Sequence, residues 1–423
     1  MFRSIVLALL ISGAFQSYSQ SRQLPAVHHC GTSEVMEAFY HQHPEQQGTQ
    51  HDVVHGGGGG CFVIPVVFHV YGQTQGGYPV NLNIIQGALD GLNDDMHGLN
   101  SDFNLVHQDF LDIRETMPDV EFVLAQLDPE GNPTNGIVNY PEASGYGNGN
   151  GYDDLIAADA WDNYMYMNIY IQHDLYNDGV TNNSGVAWYP GTWMSDNNLA
   201  RIVYNGAYLG ENSDWEPEFA STMTHEVGHW LNLIHTFQDG CQMPNDEVTD
   251  TPPCDYWQDG YGCHPNNMSN YPLNCNDFLI NAENYMDYSG AYGCYRMFTE
   301  GQVERMYTAL NHPARYPLWQ YSNLIATGLD EYCDEPVGID QLSLFDLTVY
   351  PSPSNGSVTV KGIPVQFESL SVSVVNIAGE QVTQRNLVNI NGSVTMNLER
   401  IASGIYLLHF ENLGQVVKLV LED

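Results

Sequence analysis

The chain is poor in positive charge. Its 423 residues hold 11 Lys and Arg against 51 Asp and Glu, a formal net charge of −40, and no basic residue lies between Arg22 and Arg114. Such a field repels nucleic acid and anionic membrane surfaces, which argues against a polyanion-binding role. It suits a soluble extracellular protein that tolerates divalent cations. Beyond the N-terminus no stretch reaches about 18 unbroken apolar residues, so no transmembrane segment is expected. Repeats of solenoid type are also missing.

What is present points to export. Residues 1–19, within "MFRSIVLALLISGAFQSYSQ", combine a short basic start, an apolar run and small residues at Ser17 and Ser19. This is the pattern of a secretory signal peptide, too short to span a bilayer. The eight cysteines agree with an oxidising compartment.

Residues 20–60 form a polar, His- and Gln-rich stretch ending in five glycines, Gly56–Gly60. A run of glycine cannot hold one conformation cheaply, so it reads as a hinge at the end of a pro-segment. A folded domain is expected over 61–325. "CFVIPVVFHVYG" is a β-branched run typical of a buried strand, "VEFVLAQLD" and "YMNIYIQHD" read as further strands, and "GVAWYP" as an edge strand. "NIIQGALDGLNDDM" has helical spacing, and "EFASTMTHEVGHWLNLI" predicts one long helix. A short helix, "TEGQVERMYTALN", is expected to close this domain. A polar linker is expected over 326–340. From 341 to 423 short alternating segments separated by turn signals predict a small all-β sandwich.

The stretch "HEVGHWLNLIH" carries the chemistry. His225 and His229 lie one helical turn apart on one face, and two imidazoles so placed can share a zinc ion. Glu226 beside them can take a proton from a water on that metal. His235 reaches the same metal only if the chain turns near residue 232. A left-handed residue would make that turn, and after glycine, asparagine tolerates it best. Asn232 occupies the position.

With "NYMDYS" downstream, this pattern resembles the metzincin zinc peptidases, and within them the pappalysin family. "CFVIPVVFHVYG", "VEFVLAQLDPEGNPTNGI", "DEVTDTPP" and "MFTEGQVERM" resemble pappalysin segments in the same order, so the resemblance covers about Cys61 to Asn311. It implies an α+β metzincin-like catalytic domain, a twisted and mostly parallel sheet with an active-site helix, and a cleft for polypeptide substrates. It implies His225, His229 and His235 as zinc ligands, Glu226 as general base and Met286 as the turn methionine beneath the metal. Tyr288 falls where some metzincins place a tyrosine near the metal, either to bind an oxyanion or simply to pack. The resemblance also aligns Asp246, the carbonyl of Val248 and Thr251 with a calcium loop, against the simpler reading of a solvated acidic loop. It suggests the pairings Cys241–Cys275 and Cys263–Cys294, leaving Cys254 as an extra.

Cys30, in "HHCGTSE", resembles the Cys-Gly-Thr of pappalysin-like precursors, whose thiolate fills the open position of the zinc. The competing reading is a disulfide partner, for example of Cys61. "DYSGAYGC" lacks the acidic residue expected near Ala291 or Tyr292 to pair with an arginine substrate, which predicts a specificity other than strictly basic.

"VYPSPSNGSVTV", Gly379 and "SGIY" resemble the C-terminal sorting domain of the type IX secretion system in Bacteroidota, which implies that machinery as a partner. The competing reading is a sandwich that binds carbohydrate or protein. The expected protein is thus a secreted or surface zinc endopeptidase made as a precursor. The rival is a surface adhesin with a structural metal, and Glu226 discriminates, since a structural site needs no carboxylate beside its ligands.

Overall fold

The computed structural model describes residues 30–53, 61–210, 221–241, 245–254, 273, 275, 279–288, 295–333, 347–363, 369–376, 381–390, 392–398, 400–410 and 415–422. The signal peptide, the glycine run and the outer parts of the pro-segment and linker lie outside these residues. Among the described residues no helix is long and apolar enough to cross a membrane.

The first strand is the predicted apolar run. All ten residues of β1 (Phe62–Tyr71) are buried, as a central strand covered on both faces must be. Its neighbours are β2 (Val120–Leu124), paired with Phe62–Val66, and β3 (Ile137–Tyr140), paired with Phe68–Tyr71. On the other side come β4 (Met167–Ile171), β6 (Ile202–Tyr204) and, at the edge, β5 (Gly185–Ala187). Every pairing is parallel except that of β5 with β6, so the one antiparallel strand sits at the edge beside the site.

Three helices fix the site against this sheet. Helix α2 (Leu82–His97) lays Ile85, Leu89, Leu92 and Met96 on Ile64, Val66 and Phe68 of β1. Helix α3 (Thr222–Trp230) is buried along all nine residues and adds Val227 and Trp230 to the same core. Helix α4 (Glu300–Leu310) starts from a capping box between Thr299 and Gln302, which satisfies two of its end donors. The opposite face of the sheet holds Tyr170, Val186 and Val203. Helix α1 (Thr32–Gln42), N-terminal to the sheet, buries Val35, Met36 and Phe39 there.

Several boundaries differ from expectation. The long helix predicted through Ile234 stops at Trp230, because the chain must turn before His235; residues 218–220 of that prediction lie outside the described residues. Helix α4 does not close the domain: α5 (Tyr321–Thr327) follows, Leu329 is fully buried, and Cys333 is bonded to Cys61. The segment 326–333 is therefore packed against the catalytic sheet rather than part of a linker. Helix α1 was hidden in a stretch whose composition read only as polar.

The C-terminal region is the expected antiparallel sandwich. One sheet joins β7 (Thr348–Tyr350), β8 (Ser357–Lys361) and β11 (Ser393–Asn397). The other has the order β10–β9–β12–β13, from Gln381–Val388, Ser369–Asn376, Gly404–Phe410 and Gln415–Leu421. Val358, Val360, Val372, Val374, Leu408 and Phe410 form its shared core.

Candidate metal centre

The turn at Asn232 brings the three histidines together. Asn232 has φ +71°, its amide donates to the carbonyl of His229 (2.8 Å), and Leu233 donates to Gly228 (2.8 Å). This is the left-handed Schellman end that glycine usually makes, here made by asparagine. It swings His235 back over the helix face that carries His225 and His229.

The three Nε2 atoms then lie 3.1, 3.0 and 3.2 Å apart. The Nδ1 atoms of His225 and His229 donate to the carbonyls of Tyr285 (2.6 Å) and Leu233 (2.7 Å), which leaves their Nε2 atoms as bare lone pairs. Lone pairs so close repel unless a cation lies among them. Tetrahedral zinc with Zn–N near 2.0–2.1 Å needs N···N separations of about 3.3 Å, so the donor set fits that ion. Burial holds His225 down at about 4, and burial with the neighbouring imidazoles takes His229 and His235 well below the usual range. All three are neutral, the form a metal ligand needs.

Cys30 completes the cluster. Its sulfur and the three imidazole nitrogens lie within 4.8 Å of one another, and all four residues are buried. The thiol is not in a disulfide; it approaches Thr32 Oγ1 (3.2 Å) and Glu226 Oε2 (3.5 Å). Burial, then the charge of Glu226, pushes the thiol up, and burial pushes Glu226 up to about 8. A dication among the imidazoles would reverse the first effect and draw the sulfur to thiolate.

The walls of the site come from elements distant in sequence. Gly185 on β5 faces Glu226 so closely that a Cβ would lie 2.7 Å from the carboxyl group. Oε1 of Glu226 is buried without a hydrogen-bond partner. Met286 lies under α3, against Gly228. Tyr288 donates to the carbonyl of Cys30 (2.9 Å), and Phe237 stacks on His235 at 4.9 Å. Residues of the N-terminal stretch reach the cluster: Thr32 Oγ1 accepts from the amide of Ala187 (3.0 Å), and Ser33 Oγ lies 3.1 Å from His235 Nδ1. Ser33 and Gly185 had no sequence signal beyond their nearness to motif residues, because their partners His235 and Glu226 lie 202 and 41 positions away.

Further out, Asp246, Val248 and Thr251 do come together. Thr251 Oγ1 lies 2.8 and 2.7 Å from the two Asp246 oxygens and 3.0 Å from the Val248 carbonyl. One hydroxyl proton cannot serve three acceptors, so the pocket is rich in oxygen and short of positive charge. Burial pushes Asp246 up to about 7. Cys241 is bonded to Cys275, as the resemblance implied. Cys263 and Cys294, with Ala291 and Tyr292, lie outside the described residues. Cys254 is buried against Ile280 and Ala282. Cys61 pairs with Cys333 and not with Cys30.

Comparison with known proteins agrees with this geometry. Residues 150–311 match the peptidase family described as pregnancy-associated plasma protein-A, and residues 348–422 match a secretion system C-terminal sorting domain. An extracellular metalloprotease of Sordaria macrospora is 36% identical over 153 residues, covering 35% of this chain and 49% of the relative. Extracellular metalloprotease 1 of Coccidioides posadasii is 44% identical over 89 residues, 21% of this chain and 30% of the relative. The chain thus spans about half the length, or less, of the curated relatives it matches. Mature mirolysin of Tannerella forsythia, solved with a cleaved peptide, is 27% identical with a TM-score of 0.52, over 64% of this chain and 99% of that one. A promirolysin mutant from the same organism is 25% identical with a TM-score of 0.50, over 69% of this chain and 92% of that one. Residues 150–311 thus match the pappalysin family of metallopeptidases, and residues 348–422 match a secretion sorting domain.

Proposed function

We propose that this chain is the precursor of a secreted zinc endopeptidase, held latent by Cys30. The observation that carries the reading is the convergence of three bare imidazole nitrogens on one point, with the Cys30 sulfur on the open side and Glu226 beside it. When bound, zinc supplies Lewis acidity that lowers the pKa of a water and polarises a carbonyl. Glu226 accepts a proton from the attacking water and returns it to the leaving amine. Its buried Oε1 has no protein partner to give up. Tyr288, already bonded to the carbonyl of Cys30, offers the same hydroxyl to the oxygen of a scissile carbonyl as charge develops there.

The edge strand β5 supplies the substrate groove. Its backbone already takes the pro-segment: Gly31 donates to the Gly185 carbonyl (3.4 Å). An extended polypeptide adds to such an edge by main-chain hydrogen bonds. Asp246, Val248 and Thr251 are assigned to a structural calcium ion. The sorting domain and the extracellular relatives support a secreted or cell-surface protein, with the type IX machinery as its export partner. A purely structural metal would leave the carboxylate of Glu226 without a task.

The test compares hydrolysis of denatured casein by the mature protein, its Glu226→Ala variant, and the protein treated with a zinc chelator. Hydrolysis by the first alone is expected. Equal hydrolysis by all three would defeat the reading.

A further inference from the structure

Asn232, which makes the left-handed turn before His235, has a second contact. Asn232 Nδ2 donates to the carbonyl of Gln50 at 3.0 Å, and a glycine in that position could not. Residues 49–51 are docked there by further bonds. His312 Nε2 lies 2.9 Å from the Thr49 carbonyl, and His51 Nε2 lies 3.4 Å from Glu247 Oε2. The same Glu247 oxygen binds Arg305 at 2.7 Å, and Arg305 Nε donates to the carbonyl of Asn232 at 2.6 Å. Within the pro-segment, Tyr40 donates to Gln50 Oε1 at 3.0 Å, so the docked turn is tied back to α1. Asn232 itself is only 3% exposed beneath this cover.

We propose that Asn232 is a second latch for the pro-segment, independent of Cys30, which keeps residues 30–53 bound after the chain is cut on their C-terminal side. The proposal rests on the reading of residues 20–60 as a pro-segment. Three separate contacts then hold the cut segment: Cys30 at the metal centre, Val35, Met36 and Phe39 of α1 in the apolar face beside Trp188 and Tyr189, and Gln50 on Asn232. The first depends on zinc. The other two do not. Cutting alone does not expose the cleft, because the edge of β5 stays covered until all three let go. A cut segment retained in this way acts as a non-covalent inhibitor, and activation waits on its dissociation or further digestion. The latch also joins latency to the turn that delivers His235, since one residue makes both.

The experiment measures binding of a fluorescently labelled peptide of residues 30–53 to the mature protein, with zinc bound and with zinc removed. The proteins are the parent, Asn232→Gly and Asn232→Asp. Glycine suits φ +71° at least as well as asparagine, so Asn232→Gly is expected to fold, and a circular dichroism melt checks this. Loss of one net hydrogen bond predicts binding weaker by about five-fold. The loss should be equal with and without zinc. Asn232→Asp, which sets a carboxylate against the Gln50 carbonyl, should lose at least as much. Unchanged affinity in both variants overturns the latch, and so does failure of the peptide to bind the parent. A Cys30→Ala peptide serves as the separate test of the zinc switch. If it binds the zinc-loaded parent as tightly as the native peptide, the switch fails while the result for Asn232 stands.

Discussion

Gly228 and Met286 meet where helix α3 crosses the segment around Met286, and a Cβ on Gly228 would lie 2.5 Å from the Met286 sulfur. Close approach of the two segments lets the Tyr285 carbonyl reach Nδ1 of His225 at 2.6 Å. Gly228→Ala must push them apart, and overpacking of this kind costs roughly 1–3 kcal/mol. The variant is expected to melt several degrees lower and to bind zinc more weakly. Melting curves with and without added zinc, with a competitive metal titration, check both. An unchanged zinc affinity would show that the contact does not orient His225.

Glu226 sits against Gly185 with one oxygen buried and unpartnered. Glu226→Gln keeps the shape and removes the basic oxygen. Hydrolysis should fall by a factor on the order of 100 to 10,000, the usual share of a general base. Zinc content, read by atomic absorption, should stay at one ion per chain. A variant that lost its metal along with its activity would make Glu226 a structural group instead.

Cys61 and Cys333 close a loop of 272 residues around the whole catalytic domain. The bond ties the start of β1, close behind the glycine run, to the segment after α5. Cys333→Ser should lower the stability of the domain by about 3–5 kcal/mol, as expected for a bond that closes so long a loop. Guanidinium unfolding of the two proteins, monitored by tryptophan fluorescence, gives the number. A midpoint shift near zero would mean that packing of Leu329 and its neighbours holds the segment unaided.

The metal ligands were legible because they obey local rules: a helix repeat places His225 beside His229, and a left-handed residue must follow to place His235. The strands β1, β2 and β4 declared themselves by composition. The length of α3 did not, because its apolar pattern continues through Ile234 while the backbone turns at Asn232. Helix α1 was invisible for a different reason: its apolar face, Val35, Met36 and Phe39, has meaning only against Trp188 and Tyr189. The pairing of Cys61 with Cys333 is equally non-local. Spacing cannot choose among eight cysteines.

The oxygen pocket of Asp246 gives a prediction with a pH signature. Burial raises this carboxyl to about 7, above its unfolded value of 3.8, so ionising it costs stability as pH rises between those values. Calcium binds the ionised form. Added calcium should therefore raise the melting temperature strongly at pH 8 and little at pH 5, and Asp246→Asn should remove most of the difference. Equal shifts at both pH values would place the calcium effect elsewhere.

Asp95 carries the same sign at a second buried position. It reaches from α2 to the start of α3, where Thr224 Oγ1 donates to it at 2.6 Å. Burial pushes it up to about 7, opposed by the hydrogen bond from Thr224. The native state thus binds a proton that the unfolded chain has already lost between about pH 4 and 7, and stability falls with rising pH across that window. An amide in place of this carboxyl would not titrate but could still accept from Thr224. The stability of Asp95→Asn relative to the parent should therefore rise with pH from about 4 and level off above about 7. Urea titrations at pH 4, 5.5, 7 and 8.5 give the curve. A flat difference would mean that the carboxylate is already stabilised in place by Thr224, and that α3 is anchored by a charge rather than by a neutral acid.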